Sequence, residues 1–154
     1  MSMQIVSWKP EYSEEFRKMN IYWLEEFFWV EPHDEDVLGD PNKYIIDPGG
    51  TIFFALEENN VIGCVALMKI KEDIFELTKM AVKPEYRGKK IGHQLMQHSI
   101  EFATDQNWDS LIIYSNRKLE NAIHLYRKYG FKEIPIAKDN PYSRGDIKMQ
   151  LKLS

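Results

Sequence analysis

At 154 residues the chain can bury roughly two-thirds of its unfolded surface in one core, so residues 3–154 are expected to form a single domain. The composition is globular, at 44% hydrophobic and 29% charged. The longest apolar run, Val61 to Met68, falls far short of the ~20 residues of a membrane helix, and MSMQIVSWKP lacks the pattern of a secretory leader, so a cytoplasmic location is expected. A net charge of -4 argues against a nucleic-acid partner, and the single cysteine, Cys64, excludes an intrachain disulfide.

A short opening strand is expected from Gln4 to Ser7. From Tyr12 to Phe28, the residues Phe16, Met19, Ile21, Trp23, Leu24, Phe27 and Phe28 recur near helical spacing, which predicts one helix or two. Pro32, Gly39, Pro41 and the Asp47-Pro48-Gly49-Gly50 turn then interrupt the chain and leave room for a short helical turn at most. Thr51 to Glu58 and Val61 to Ile70 are β-branched and apolar. Asn59-Asn60 between them suits a two-residue hairpin, because Asn tolerates positive φ. Cys64 falls inside the second strand, where a small buried hydrophobe is favoured over a nucleophile. A third strand runs from Ile74 to Val82 and stops at Pro84.

From Gly88 the period changes, and Gly92, Leu95, Met96, Ser99, Phe102 and Ala103 form one stripe of an amphipathic helix reaching about Gln106. A strand follows from Ser110 to Ser115. A second helix, from about Leu119 to Tyr129, is expected to bury Ala122, Ile123, Leu125, Tyr126 and Tyr129, with Gly130 as the left-handed residue that ends it. FKEIPI and DIKMQLKL close the sheet. No repeat or linker is present, and the order of elements predicts an α+β fold. Its central sheet would be mixed and mostly antiparallel, with about six or seven strands and helices on both faces.

The segment PEYRGKKIG, Pro84 to Gly92, joins a strand to a helix. A helix opening from a Gly-flanked turn presents unpaired backbone N–H groups and about half a positive charge, a combination that binds phosphate. Gly88 and Gly92 remove side chains that would hold a diphosphate off the backbone, and Arg87, Lys89 and Lys90 add positive charge around it. A solvated basic turn would read the same way. A P-loop is excluded because no GK[ST] follows at the required spacing, and the acid of a dinucleotide-binding turn has no strand to sit on.

The run LTKMAVKPEYRGKKIGHQLM (Leu77 to Met96) resembles the coenzyme-A signature of the GNAT acetyltransferases. AIHLYRKYGF (Ala122 to Phe131) resembles their second motif, at a typical distance downstream. The WLEEFF, GGTIFFA and YSRGDIKM segments are similar to those of a subfamily sometimes found fused behind MarR-type regulators. Two positions depart from the family pattern. Lys90 stands at the central glycine of R-x-x-G-x-G, and Leu119 stands where an Asn often precedes the motif tyrosine by seven residues, with Asn116 and Asn121 nearby but out of register.

The resemblance implies a GNAT fold with acetyl-CoA as co-substrate. Met80, Ala81 and Val82 would end a bulged strand whose main chain pairs with the pantetheine arm, and Arg87, Gly88, Lys89, Lys90, Ile91, Gly92 and His93 would hold the diphosphate. The implied activity is N-acetylation of a small-molecule amine by direct attack in a ternary complex. An alkylammonium with a pKa near ~10.4 is mostly protonated at neutral pH, so presenting the free amine costs about 4 to 5 kcal/mol unless a base or a desolvating pocket assists. Glu76 matches the position from which family members recruit that base. Alternation puts it on one face with Thr78 and Met80, and a solvent-facing strand glutamate is the alternative. Tyr126, four residues before Gly130, matches the general acid that protonates the departing thiolate; a core tyrosine with a satisfied hydroxyl is the alternative.

On the acceptor side, Glu25, Glu26, Glu31, Asp34, Glu35, Asp36 and Asp40 have no Lys or Arg among them and are interleaved with Phe27, Phe28 and Trp29. Facing a cleft beside Trp23 and Phe27 they would draw a polyamine-like cation, although a run of acids is more often a solvated face. Arg144, beside Tyr142, would instead clamp a carboxylate and favour an amino-acid-like acceptor. His33-Asp34-Glu35-Asp36 is no chelate, since adjacent side chains diverge, and no metal is expected. The second functional reading is a catalytically degenerate acetyl-CoA-binding regulatory module, motivated by Lys90 and Leu119. Neither nucleic acid nor membrane is an expected partner, and a homodimer is left open.

Overall fold

The computed structural model describes residues 3–138 and 140–153. Its strands are β1 (Met3–Ser7), β2 (Thr51–Glu57), β3 (Asn60–Lys71), β4 (Ile74–Val82), β5 (Ser110–Ser115), β6 (Lys132–Ile134) and β7 (Ile147–Lys152). They form one sheet in the order β1-β2-β3-β4-β5-β7-β6, in which β4 and β5 are parallel and every other neighbouring pair is antiparallel. The helices are α1 (Ser13–Phe27), α2 (Pro32–Gly39), α3 (Ile91–Asp105) and α4 (Glu120–Lys128). The expected mixed, mostly antiparallel sheet with helices on both faces is the one observed.

The two sheet faces bury separate clusters, as strand alternation requires. Phe16, Met19 and Leu24 of α1 and Val37 and Leu38 of α2 pack with Ile52, Phe54, Cys64, Ala66 and Ala81 on one face. Ile91, Leu95, Met96 and Ala103 of α3 pack with Phe53, Val65, Leu67, Phe75 and Leu77 on the other. The α3 stripe read from the sequence is the face that is buried, including Ser99, whose hydroxyl donates to the Leu95 carbonyl at 2.8 Å. Gly130 ends α4 at φ +99°, with the Phe131 amide donating back to the Tyr126 carbonyl. The apolar side chains of α4 are half-buried rather than buried, with Ile123, Tyr126 and Tyr129 packed against the edge of the α3-side cluster. Among the described residues no helix is long and apolar enough to cross a membrane.

Three local expectations are corrected. The segment expected to hold at most a turn contains the two-turn helix α2: Pro32 occupies its first turn, where a missing N–H costs nothing, and the Asp34 carboxylate accepts the Glu31 amide at 3.0 Å. The β2–β3 hairpin turns at Glu58-Asn59, both at positive φ, one residue earlier than Asn59-Asn60. The third concerns β4. Cys64 pairs with Ala81 but Ala66 pairs with Thr78, so Lys79 and Met80 together oppose Val65 in a β-bulge, with Lys79 at φ 55°. The extra residue inverts the alternation. Met80 and Val82 pack toward the α3 face while Ala81 packs toward α1, so Glu76 shares its face with Thr78 but not with Met80.

Candidate active site

The parallel pairing of β4 with β5 ends at Glu76 and Ile112. Beyond that point the strands part, and a cleft of about 470 Å³ occupies the splay. Its walls come from β4 (Thr78, Lys79, Met80), the end of α1 and the residue after it (Trp23, Phe27, Phe28), one side of α4 (Asn121, Ala122, Tyr126), and the segment carrying Tyr142 and Arg144. Since β4 has no neighbour on its β5 side past Glu76, the main chain of Met80 to Val82 forms an open edge able to pair with an extended ligand. The bulge is braced from below. The Cys64 thiol donates to the Lys79 carbonyl at 3.5 Å and accepts from Asn20 Nδ2 at 3.4 Å, and burial pushes that thiol up to about 12, so Cys64 is no nucleophile.

A second depression, of about 390 Å³, is lined by Val82, Tyr86, Arg87, Gly88, Lys90, Ile91, Gly92 and His93. Among the described residues no acceptor takes the backbone N–H groups from Gly88 to His93; the first amide of this helix with a partner is that of Gln94, which donates to the Lys90 carbonyl. Six successive positions therefore present the donor array of an anion site. The glycines fit that use. A Cβ on Gly88, at φ +82°, would meet no protein atom within 4 Å, and one on Gly92 would touch only Met80 Sδ at 3.8 Å, so the space they leave open lies toward the depression and not toward packed neighbours. Lys90 adopts φ 62°, ψ 23°. That left-handed conformation is the physical reason a glycine suits the position, and Lys90 meets it with roughly 1–2 kcal/mol of backbone strain. Ile91 is buried in the core and offers only its amide, and Lys89 points over the Tyr86 ring rather than into the depression.

Of the proposed catalytic pair, Tyr126 stands in the cleft wall, half-buried, its hydroxyl pushed up to about 12 by burial with Ser115 opposing. Glu76 is only 3% exposed, which overturns the solvent-facing alternative, but it does not line the cleft. Its carboxylate accepts from Tyr142 Oη at 2.8 Å, and burial raises its pKa against the pull of Tyr142 and Lys79. Trp23, Phe27, Tyr142 and Arg144 all reach the cleft.

The sequence reading missed a buried ionic network behind the cleft. Asp34, fully buried, accepts from Lys79 Nζ at 2.7 Å and from both terminal nitrogens of Arg144 at 2.7 and 2.9 Å, while Glu31 takes Arg144 at 2.5 Å and Ser143 Oγ at 2.6 Å. Arg144 is therefore engaged by protein carboxylates, partners that its reading as a clamp for a substrate carboxylate did not include. The same network answers the acidic-run question: Glu25, Glu26, Glu35, Asp36 and Asp40 are exposed, and Glu31 and Asp34 neutralise Arg144 and Lys79 rather than lining the cleft. The one local hint was a carboxylate two residues after Pro32, an N-terminal helix signal. Its partners, 45 and 110 positions away, carried none.

The sequence profile of the Acetyltransferase (GNAT) family matches residues 8–131. An uncharacterized N-acetyltransferase of Dictyostelium discoideum is 36% identical over 80 residues, which is 52% of this chain and 37% of that protein. The N-acetylaspartate synthetase of Xenopus tropicalis is 33% identical over 94 residues, 60% of this chain and 35% of that protein, so the chain spans little more than a third of the length of either relative. Among solved structures, an acetyltransferase of the GNAT family from Staphylococcus aureus Mu50 superposes with a TM-score of 0.88 at 22% identity, over 99% of this chain and 100% of that one, and so shares the fold. With a splayed β4–β5 pair, a bulged β4, a helix N-terminus of uncommitted amides and a profile match over most of its length, the chain belongs to the GNAT acetyltransferase family.

Proposed function

We propose that this protein transfers an acetyl group from acetyl-CoA to the amine of a small, amino-acid-like acceptor in a ternary complex. The observation that carries the reading is the uncommitted amide run from Gly88 to His93, continuous in sequence with an open β4 edge that leads into the cleft. The amides and Arg87 would hold the diphosphate, and Met80 to Val82 the pantetheine arm. Acetyl-CoA supplies the activated thioester; the protein's share is to orient it, exclude water and manage two protons. Glu76 serves as the ultimate proton acceptor for the amine. Tyr126, whose raised pKa keeps it protonated, gives a proton to the thiolate that leaves.

The position of the acidic run outside the cleft walls supports an amino-acid-like acceptor over a polyamine. Asp34 and Glu31 balance Lys79 and Arg144, so the charges left on the lining are Lys118 and Glu120, one of each sign, among aromatic rings of Trp23, Phe27, Phe28, Tyr114 and Tyr142, and the acidic run that would draw a polyamine lies outside it. Similarity to a relative named N-acetylaspartate synthetase supports the same class. An amine panel assayed for free-thiol release tests the proposal, with acetyl-CoA binding followed by calorimetry. Turnover on at least one amino acid, reduced about a hundredfold or more by Tyr126→Phe, is the expected result. Heat of acetyl-CoA binding without transfer to any amine would select the regulatory-module reading instead.

A further inference from the structure

Glu76 is the only carboxylate of β4, yet it is 3% exposed and absent from the cleft walls, and the wall residue hydrogen-bonded to it at 2.8 Å is a phenol. Tyr142 Oη lies 2.8 Å from Glu76 Oε2 on one side and 3.4 Å from Thr78 Oγ1 on the other, and both Tyr142 and Thr78 line the cleft. We propose that Tyr142 is a catalytic proton relay, through which the acceptor amine reaches a base it cannot touch. This inference rests on the acetyltransferase reading above and deepens it.

The transfer is a two-proton shift. The acceptor ammonium gives an N–H proton to Tyr142 Oη as the phenol passes its own O–H proton to Glu76 Oε2. The amine is left neutral with its lone pair free, Tyr142 is unchanged, and Glu76 becomes a carboxylic acid that returns the proton by the reverse path once product has left. The shifts must be concerted, because burial and the adjacent Glu76 carboxylate raise the Tyr142 pKa well above its ordinary value and disfavour a free tyrosinate.

The surroundings hold the relay in line. Lys79 Nζ and the Arg144 guanidinium lie 5.0 and 4.9 Å from the Tyr142 ring centroid, and the His33 ring meets it edge-on at 5.3 Å. Asp34 and Glu31 fix Lys79 and Arg144 in turn. Thus the titratable groups facing the Glu76–Tyr142 pair are Lys79 from β4, His33 and Asp34 from α2, and Arg144 from the segment before β7, with Thr78 as the neutral hydrogen-bonding neighbour. Tyr142 Nα donates to Asn140 Oδ1 at 2.9 Å, which anchors the residue independently of its hydroxyl.

The test is Tyr142→Phe, which keeps the ring and removes only the relay oxygen, assayed on the fastest amine of the panel. The expected result is a fall in kcat/KM of about a hundredfold or more with acetyl-CoA binding unchanged by calorimetry. The loss should shrink toward wild-type rates for fluorinated analogues of the same amine whose lowered pKa leaves them neutral at the assay pH. Glu76→Gln should show the same dependence on amine pKa, and the double variant should lose little more than either single one. Should Tyr142→Phe fold poorly, the rate of the wild-type protein in mixtures of H2O and D2O decides: a curved dependence of kcat/KM on deuterium fraction, from two protons moving together, is expected, and a linear one overturns the relay. Full activity of Tyr142→Phe, or a loss equal for basic and weakly basic amines, overturns the relay while leaving the acetyltransferase reading intact; a wild-type protein that binds acetyl-CoA but acetylates nothing overturns both.

Discussion

Asp34→Asn is the substitution that most directly probes what holds the cleft together. Asp34 is fully buried and is the shared partner of Lys79, whose side chain is 4% exposed, and of Arg144, at 12%. Removing its charge leaves the Lys79 ammonium buried without a counterion and Arg144 with Glu31 alone. Breaking a buried pair in this way costs about 3–5 kcal/mol, because the surviving charge keeps its desolvation penalty, and for a chain of this length that is a fall in Tm of roughly 10 °C. The acid limb gives an independent reading. Burial alone would raise the Asp34 pKa, but hydrogen bonds from Arg144 and the charge of Lys79 override it and hold the carboxyl at about 2, below its ordinary 3.8. A folded value below the unfolded one means a contribution present in full above the unfolded pKa and lost as pH falls through the folded one, worth roughly 2 kcal/mol. Urea unfolding of both proteins from pH 2 to pH 7 measures it: the wild type should lose stability relative to the variant across the acid end, and the gap should be widest near neutrality. A variant within about 1 kcal/mol of wild type at pH 7, with a parallel acid limb, would refute the assignment of the network as the clamp between α2 and the segment before β7.

Gly88→Ala places a methyl at φ +82° where no protein atom opposes it, so the stability cost is confined to backbone strain of roughly 1–3 kcal/mol. Acetyl-CoA binding should weaken by about tenfold, or 1.4 kcal/mol, in calorimetry, and an unchanged affinity would remove the amide run from the binding site. Arg87→Ala breaks a partly exposed pair with Glu26 at 3.0 Å, so thermal unfolding should shift by less than about 1 kcal/mol, while acetyl-CoA affinity falls and its dependence on salt becomes shallower. Cys64, with its thiol pushed up to about 12 and no exposure, should resist a maleimide in the native protein and react on unfolding; rapid native labelling would contradict its packing beneath the bulge.

Much of the scaffold was legible because its signals act over two to four residues. The limits of β4 and β5 matched the β-branched runs, the α3 stripe matched its buried face, and the left-handed residue after α4 was Gly130. Helix α2 was also written locally, in Pro32 and the acids around it, but proline and glycine were weighed as breakers and not as a first-turn residue and a terminator. The bulge at Lys79 was not legible as a position, since a register shift exists only relative to the partner strand. It alone decides that Glu76 and Met80 lie on opposite faces.

By itself the sequence determined the order of the strands and of every helix but α2, the basic glycine-flanked opening of α3 and the family to which they belong, because hydrophobic period, turn chemistry and motif spacing are properties of neighbouring residues. Only the tertiary structure decided that Arg144 is tied to Asp34 and Glu31, that Lys79 is buried on Asp34, and that Tyr142 stands between the cleft and Glu76. Those contacts join residues from 45 to 113 positions apart, and their charges are worth something in the low-dielectric interior only when the sheet register brings them within about 3 Å.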